Sequence, residues 1–199
     1  MGMSAPRKLL WFALVVAAAA SAERPQAQTF TPNPEQWRPV HYFDLQLVSG
    51  DAAAYASIWA DKLDENNRAY AAVGDRRFAV GNAPASEAHF AVNFTNKLAV
   101  LTVLNTATGC AKTQQYPAAN ATVKFCPLRL AVWQDGKLSI SQATGCYLEL
   151  TFFNASPDPT ASVSYVSYDV SAKSFHTGMI VAHRAVAECS FTIPLHIRN

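Results

Sequence analysis

The clearest alternation of apolar and polar residues covers residues 128–153 and predicts three antiparallel strands joined by short turns. Turns are expected at 134–136 and 143–145, with Gly136 in the left-handed conformation that glycine adopts without steric cost. A two-residue turn at Asp135 and Gly136 would mix apolar and polar residues on both faces, so we prefer the three-residue turn that segregates them. One face of this predicted meander is then apolar and contains Leu128, Leu130, Val132, Leu138, Ile140, Cys146, Leu148, Leu150 and Phe152.

The opposite face of the predicted meander mixes aromatic rings with groups that form hydrogen bonds. It contains Arg129, Ala131, Trp133, Lys137, Ser139, Ser141, Tyr147, Glu149, Thr151 and Phe153. Such a face can stack a sugar or another planar ligand, or anchor a protein partner. The candidate ligand-binding residues are therefore Arg129, Trp133, Lys137, Tyr147, Glu149 and Phe153. The alternative is that a loop, the helix or a second sheet covers these side chains, because aromatic residues are mostly core residues.

Alternation elsewhere predicts further strands near 40–48, 89–94, 97–105, 122–126, 161–170, 175–182 and 188–197. The strand at 97–105 is apolar on both faces and should be central and covered twice. Apolar residues change parity at Pro127, which predicts a bulge or an edge position there. We count about nine to eleven strands in all. The predicted fold class is mainly β, an antiparallel meander closed as a barrel or folded as a two-layer sandwich.

One helix is predicted over about residues 51–64, where Tyr55, Ile58, Trp59 and Leu63 form a single apolar stripe. The pair at 66–67, two asparagines, should end it. Residues 49–61 resemble the opening helix of the nuclear transport factor 2-like family, in which Gly-Asp starts a helix that ends in an aromatic residue, Ala and Asp. The later helices of that family are not evident in this sequence, so the predicted fold class stays mainly β.

The first 22 residues have the features of a secretory signal peptide. Arg7 and Lys8 precede an apolar run at 9–20, which is shorter than the roughly 20 residues that span a bilayer, and Ala20-Ser21-Ala22 gives a cleavage site. An uncleaved anchor or a buried helix is the alternative. We expect a proline-rich leader at 23–39, a single domain at 40–199, and a secreted or periplasmic protein with no stable membrane anchor after cleavage.

Charge gives little indication of a partner. The full chain carries a net charge of +2, and loss of residues 1–22 removes Arg7 and Lys8 but no acid. The mature chain is then formally neutral and has no basic stripe, so nucleic acid is not an expected partner. Three glycosylation sequons, at Asn93, Asn120 and Asn154, matter only in a eukaryotic host.

The four cysteines of this exported chain predict two disulfides. In the predicted meander a strand separates Cys126 from Cys146, which puts their Cα atoms about 9–10 Å apart, too far for a bond. We prefer Cys110–Cys126 with Cys146–Cys189, because the first pair brackets a loose loop. The pairing of Cys110 with Cys146 and of Cys126 with Cys189 stays open. No metal site is predicted, because the cysteines and histidines lack ligand spacing.

No catalytic or cofactor-binding motif is present, and no cofactor is predicted. Of the five histidines, His183 could pair with Glu188 for acid–base chemistry, although such pairs are more often structural. We predict an exported, non-catalytic binding or interaction protein whose partner is an unidentified small molecule or protein. The alternative is a small secreted hydrolase that uses a His and an acidic residue from separate strands. A third possibility is an assembly or inhibitor module that works through an exposed strand edge.

Overall fold

The computed structural model describes residues 38–44, 51–73, 83–151 and 161–195, without the side chains at 38–39, 41–44, 51–54 and 73. The predicted signal peptide, residues 23–37 of the predicted leader, and Phe153 lie outside the described residues. The last two residues predicted for the leader, Arg38 and Pro39, form a short strand.

Eleven strands, two α-helices and two short 3-10 helices, Pro117–Ala119 and Ala187–Cys189, make up the described regular structure. The strands and α-helices are β1 Arg38–Pro39, β2 His41–Asp44, α1 Asp51–Ile58, α2 Ala60–Val73, β3 Ala85–Phe94, β4 Lys97–Thr106, β5 Lys112–Tyr116, β6 Ala121–Gln134, β7 Lys137–Leu150, β8 Val163–Asp169, β9 Ser174–Val181, β10 Arg184–Ala185 and β11 Phe191–Pro194. The prediction of a mainly β protein is confirmed.

These strands pair antiparallel into two sheets. The large sheet has the order β2-β3-β4-β6-β5, with β7 on the other side of β6. The small sheet has the order β1-β8-β9-β10, and β11 also pairs with β9. Among the described strands these pairings leave two separate sheets and no closed barrel, which gives a β-sandwich-like arrangement.

The large sheet is covered on both faces. Towards the small sheet lies the inter-sheet core, which contains Ala88, Phe90, Ala99, Leu101, Val103, Cys126, Leu128, Leu130, Val132, Tyr147, Val166, Phe175 and Leu195. Towards the helices lies the cap core, with Ile58, Trp59, Ala85, Val100, Leu104 and Ala131. Strand β4 contributes to both cores, so the prediction of a central, doubly covered strand is confirmed.

The predicted register of the meander is wrong. Strands β6 and β7 are two continuous strands of 14 residues each, joined by a two-residue turn that places Trp133 opposite Leu138. Asp135 (φ 52°) and Gly136 (φ 71°) are both left-handed, as a type I′ turn requires. Residues 137–144 are exposed on both faces. Burial therefore does not select the register of this half of β7, and the turn decides it.

The second predicted turn does not exist. Gly145 lies within β7, opposite Cys126. A Cβ atom at this position would lie 2.7 Å from Leu128 Cδ1 and 2.9 Å from Val103 Cγ2. The glycine therefore serves close packing inside a strand, which is the other common use of glycine in sheets.

The helical region extends well beyond the predicted end at residue 64. Trp59 separates α1 from α2, and α2 continues through Asn66 and Asn67 to Val73. Asn66 Nδ2 donates to the Pro84 carbonyl over 3.2 Å, and Asn67 Oδ1 accepts from the Ala83 amide over 2.7 Å. These amides therefore fasten α2 to the chain that enters β3, which explains why they do not end the helix.

Pro127 lies in a gap of the ladder and not at a bulge. On one side of β6, the pairing with β4 ends at Leu128 and the pairing with β5 begins at Phe125, so no described strand pairs with Cys126 and Pro127 there. On the other side, β7 pairs with β6 continuously and no residue is inserted. Proline lacks an amide donor, so a gap is a suitable position for it. The apolar parity changes because Leu128 belongs to the inter-sheet core, whereas Val123 packs in a third cluster with Met179 and Val181.

Both preferred disulfides are present. Cys110 is bonded to Cys126, and Cys146 to Cys189. The reason given for excluding Cys126–Cys146 was nevertheless wrong, since these residues lie on neighbouring strands. Cys126 faces Gly145 and Cys146 faces Phe125, so their side chains point to opposite sides of the sheet. Two disulfides are consistent with an oxidising compartment. None of the described helices is both long and apolar enough to cross a membrane.

Candidate functional site

The six residues predicted to bind a ligand do not share one face. In the observed register Arg129 is opposite Gln142 and Trp133 is opposite Leu138, whereas Lys137 is opposite Gln134. Tyr147 and Glu149 have the same parity as Lys137, so these three lie on the other side of the ribbon from Arg129 and Trp133. Phe153 lies outside the described residues. A ligand-binding role for these residues stays a prediction. The described ones do not form a single flat binding surface, because they lie on two sides of the β6–β7 ribbon.

The residues on the second side have separate surroundings. Tyr147 is buried, and its hydroxyl donates to Ser86 Oγ over 2.9 Å. Glu149 forms an ion pair with Lys124 over 2.8 Å, and Lys137 is exposed at the start of β7. Tyr147 is therefore a core residue with a satisfied hydroxyl, as the covered alternative expected for aromatics.

Arg129 joins the large sheet to the helices. It is 4 % exposed, and its Nη1 donates to the Ile58 carbonyl over 2.5 Å. Nη1 and Nη2 also donate to the two Asp61 carboxylate oxygens over 2.6 and 2.7 Å, and the guanidinium carbon lies 4.5 Å from the centre of the Trp59 ring. This bidentate geometry is the strongest form of an arginine–carboxylate contact. Arg129 therefore anchors the junction of α1 and α2.

A second buried polar group lies beside this anchor, and sequence reasoning missed it. Glu87 is fully buried, its Oε1 lies 3.1 Å from His89 Nδ1, and its Oε2 accepts from Thr102 Oγ1 over 2.5 Å. Thr102 Oγ1 in turn accepts from Trp59 Nε1 over 3.1 Å. The Tyr55 ring stacks on His89 with centroids 3.9 Å apart. The available signal was an acid and a histidine two residues apart in a strand that is otherwise mostly apolar.

This cluster has the groups for acid–base chemistry but little access for a substrate. Glu87 and His89 come from the same strand, are 0 % and 5 % exposed, and lie beneath Tyr55 and Trp59 of the helices. Buried polar groups that satisfy one another also fix a unique packing. We interpret the cluster as the attachment of the helices to the large sheet.

The ion pair between Arg129 and Asp61 gives a pH-dependent prediction. The hydrogen bonds from Arg129 hold the pKa of Asp61 below its ordinary value. The pair then contributes stability that is present above the unfolded pKa of about 3.9 and is lost as pH falls through the lower folded pKa. In thermal unfolding below about pH 5, Asp61→Asn should lose less stability on acidification than the unmodified chain. Asp64→Asn, at an exposed residue, is the control. Equal loss of stability on acidification in the unmodified chain, Asp61→Asn and Asp64→Asn would contradict the prediction.

Two other histidines, His176 and His183, lie in β9 and in the turn after it. His183 lies in a turn with φ 60°, and both it and Glu188 are exposed. On the outer face of the small sheet, His176 Nε2 lies 3.3 Å from Ser174 Oγ and His176 Nδ1 lies 3.1 Å from Thr192 Oγ1. His176 also helps to lower the pKa of Asp169, after the larger effects of the Ala172 amide and the Ser171 hydroxyl. Ser174 is only 4 % exposed, which is a poor position for a nucleophile.

The surface that most clearly lacks a covering element is the first half of β7. Residues 137–144, which we name the open edge, are all exposed, and β7 pairs with β6 alone among the described strands. Leu138 and Ile140 are 43 % and 41 % exposed. They lie across from Trp133 and Ala131, so Trp133, Leu138 and Ile140 form an apolar row that runs from the cap core to the open edge.

Two further observations bear on ligands. A cavity between the sheets, bordered by Phe90, Leu128 and Val166 among others, has a volume of about 30 Å³, which is water-sized. Among the described residues, no three His, Cys, Asp or Glu side chains lie together as a metal site would require.

Comparison with protein-family models, with curated proteins and with solved structures finds no match to this chain in any of the three.

Proposed function

We propose that this protein is an exported interaction protein with a β-sandwich fold, which binds an extended polypeptide by adding it as a strand to the open edge of β7. The observation that carries the proposal is a long, exposed edge strand with two exposed apolar side chains, Leu138 and Ile140. An unpaired edge presents a row of amide donors and carbonyl acceptors that a second strand can satisfy. The binding energy would come from these main-chain hydrogen bonds together with burial of Leu138 and Ile140.

The open edge is longer than the other described edges. Strands β1 and β10 have two residues each, β2 and β11 have four, and β5 has five. Natural sheets protect their edges with short strands, prolines and charges. The open edge has eight residues, no proline, and Lys137 as its single charge.

The open edge is also held in place before any partner arrives. All 14 residues of β7 pair with β6, and the second half of β7 is bonded to Cys189 through Cys146. A strand that is already ordered loses little conformational entropy on binding. The alternation of exposed apolar and small polar residues, from Leu138 to Ser141, gives two distinct sides that a partner strand can read.

The alternative, a hydrolase with a His and an acid from separate strands, has Asp169 and His176 in its favour. Ser174, the hydroxyl group beside His176, is buried and so is a poor nucleophile. The other acid–histidine pair, Glu87 and His89, lies beneath the helices. The open edge needs no rearrangement to act, which is why we favour binding over catalysis.

The proposal can be tested by selecting nonapeptides from a random display library against the mature chain, taken as residues 23–199. Selected peptides should slow amide hydrogen exchange within 137–144. Ile140→Lys should weaken their binding at least about tenfold, because it places a charge in the apolar row. Val170→Lys adds the same charge at a residue that is 78 % exposed and far along the chain, and it should bind as the unmodified protein does. A library that yields peptides protecting other segments, or no peptide at all, would refute the proposal.

A further inference from the structure

We infer that the strand received by the open edge is that of a second copy of this chain, so that two β7 strands pair antiparallel about a twofold axis. This inference rests on the proposed function, because it names the partner of the same surface. A twofold axis perpendicular to the sheet would join the two large sheets into one continuous sheet.

Charge along the open edge suits this arrangement. Lys137 is the single charged residue in 137–144 and lies at one end. Antiparallel pairing about an axis near Ile140 or Ser141 puts the two lysines at opposite ends of the seam, each facing an uncharged residue. Like charges directly opposite one another destabilise a sheet, and this pairing avoids them.

The apolar row is also self-complementary. A twofold axis perpendicular to the sheet does not exchange the two faces of the sheet. The helix-bearing faces of both copies therefore lie on the same side, and both copies present Leu138 and Ile140 there. With the axis at Ile140, the two Ile140 side chains meet across the seam and bury part of each other's exposed area. Each Leu138 then lies opposite the uncharged Gln142 of the second copy. On the opposite side the seam carries Ser139 and Ser141, whose small side chains bring neither charge nor bulk.

Pairing with a second copy also uses up the exposed edge. A twofold contact is closed, because each β7 serves one partner and no open edge of that length remains among the described strands. An uncovered apolar edge of this composition would otherwise template aggregation. Eight residues of strand make a small interface, so we expect a dissociation constant on the order of micromolar.

Sedimentation velocity of the mature chain from about 1 to 500 µM tests the inference, since this range brackets a micromolar equilibrium. The sedimentation coefficient should rise from monomer to dimer, and hydrogen exchange at 137–144 should slow as concentration rises. Ile140→Lys should raise the dissociation constant at least about tenfold, whereas Val170→Lys should leave it unchanged. Circular dichroism and a urea midpoint close to that of the unmodified chain would show that Ile140→Lys still folds, as expected for an exposed residue.

Each other outcome overturns the inference in a recognisable way. A dimer that Ile140→Lys does not weaken forms through another surface. A monomer at every concentration whose open edge still binds selected peptides rules out the second copy and leaves the proposed function standing. Since 137–144 pairs with β6, the informative amides are those that point away from β6. A monomer in which these outward amides are already protected at 1 µM has its edge covered by its own chain, which refutes both proposals.

Discussion

Trp59→Ala is expected to lower the free energy of unfolding by about 3–5 kcal/mol, which is the usual cost of removing a fully buried tryptophan. Trp59 is 0 % exposed and lies between the helices and the large sheet. Its removal leaves a cavity and takes the Nε1 donor away from Thr102, which in turn donates to Glu87. It also uncovers one face of the Arg129 guanidinium, which the ring contacts.

Urea unfolding followed by circular dichroism measures this loss. Trp59→Phe keeps an aromatic ring but no donor, so it should cost clearly less than the alanine variant. Trp133→Ala is a second control, because Trp133 is only partly buried at the margin of the same core. A loss below about 1 kcal/mol for Trp59→Ala would mean that the helices contribute little to the folded state, contrary to their packing here.

The expected size of this effect reflects how the helices are attached. Trp59, Asp61 and the Ile58 carbonyl at the junction of α1 and α2 meet Arg129 and Thr102 of the sheet. One short segment therefore links both helices to the large sheet, and Asn66 and Asn67 add contacts with the chain that enters β3. The apolar row starts in the same core at Trp133. Loosening the helices should therefore reach the open edge through Trp133, even though no residue of the helices belongs to that edge.

The features that the sequence predicted well depend on burial at both faces of a strand. Strand β4 was identified as central because Val100 and Leu101 are both apolar, and both prove to be buried under different layers. The disulfide pairing was also predicted, since Cys110 and Cys126 flank one loop. The bond Cys126–Cys146 was excluded for a wrong reason, the presence of a strand between the two residues. The exclusion is still correct, because the two side chains point to opposite faces of the β6–β7 ribbon.

The features that the sequence predicted badly depend on what covers a residue. Alternation in 137–144 indicates two sides but not that both face solvent, so the apolar side was assigned to the core. Asn66 and Asn67 are frequent at helix ends, but here contacts with the incoming strand hold them inside α2. Glu87 and His89 were overlooked as a pair because their partner Thr102 comes from β4 and their cover comes from α1. Such contacts join segments far apart in the chain, and local patterns do not contain them.

Replacing Cys146 and Cys189 together by alanine is expected to cost about 4 kcal/mol of unfolding free energy, against about 3 kcal/mol for Cys110 and Cys126. Each disulfide restricts the unfolded chain by closing a loop, and the separations are 43 and 16 residues. Both bonds also have contacts in the folded state. Cys146 and Cys189 belong to the cluster that joins β6 and β7 to Met179 and Val181 of the small sheet, whereas Cys126 lies in the inter-sheet core. The expected ranking therefore rests on the loop lengths.

The two double variants control for each other, because each keeps the other disulfide, which intact mass under non-reducing conditions verifies. Their urea midpoints should rank with Cys110→Ala/Cys126→Ala above Cys146→Ala/Cys189→Ala. The reverse order would mean that the 107–111 loop, tied to β6 beside the ladder gap at Pro127, contributes more than the link between the sheets. The ranking also bears on the open edge. If Cys146–Cys189 fixes β7 against the small sheet, its loss should speed hydrogen exchange at 145–150 more than at 137–144, which pair with β6 alone and have no contact with that bond.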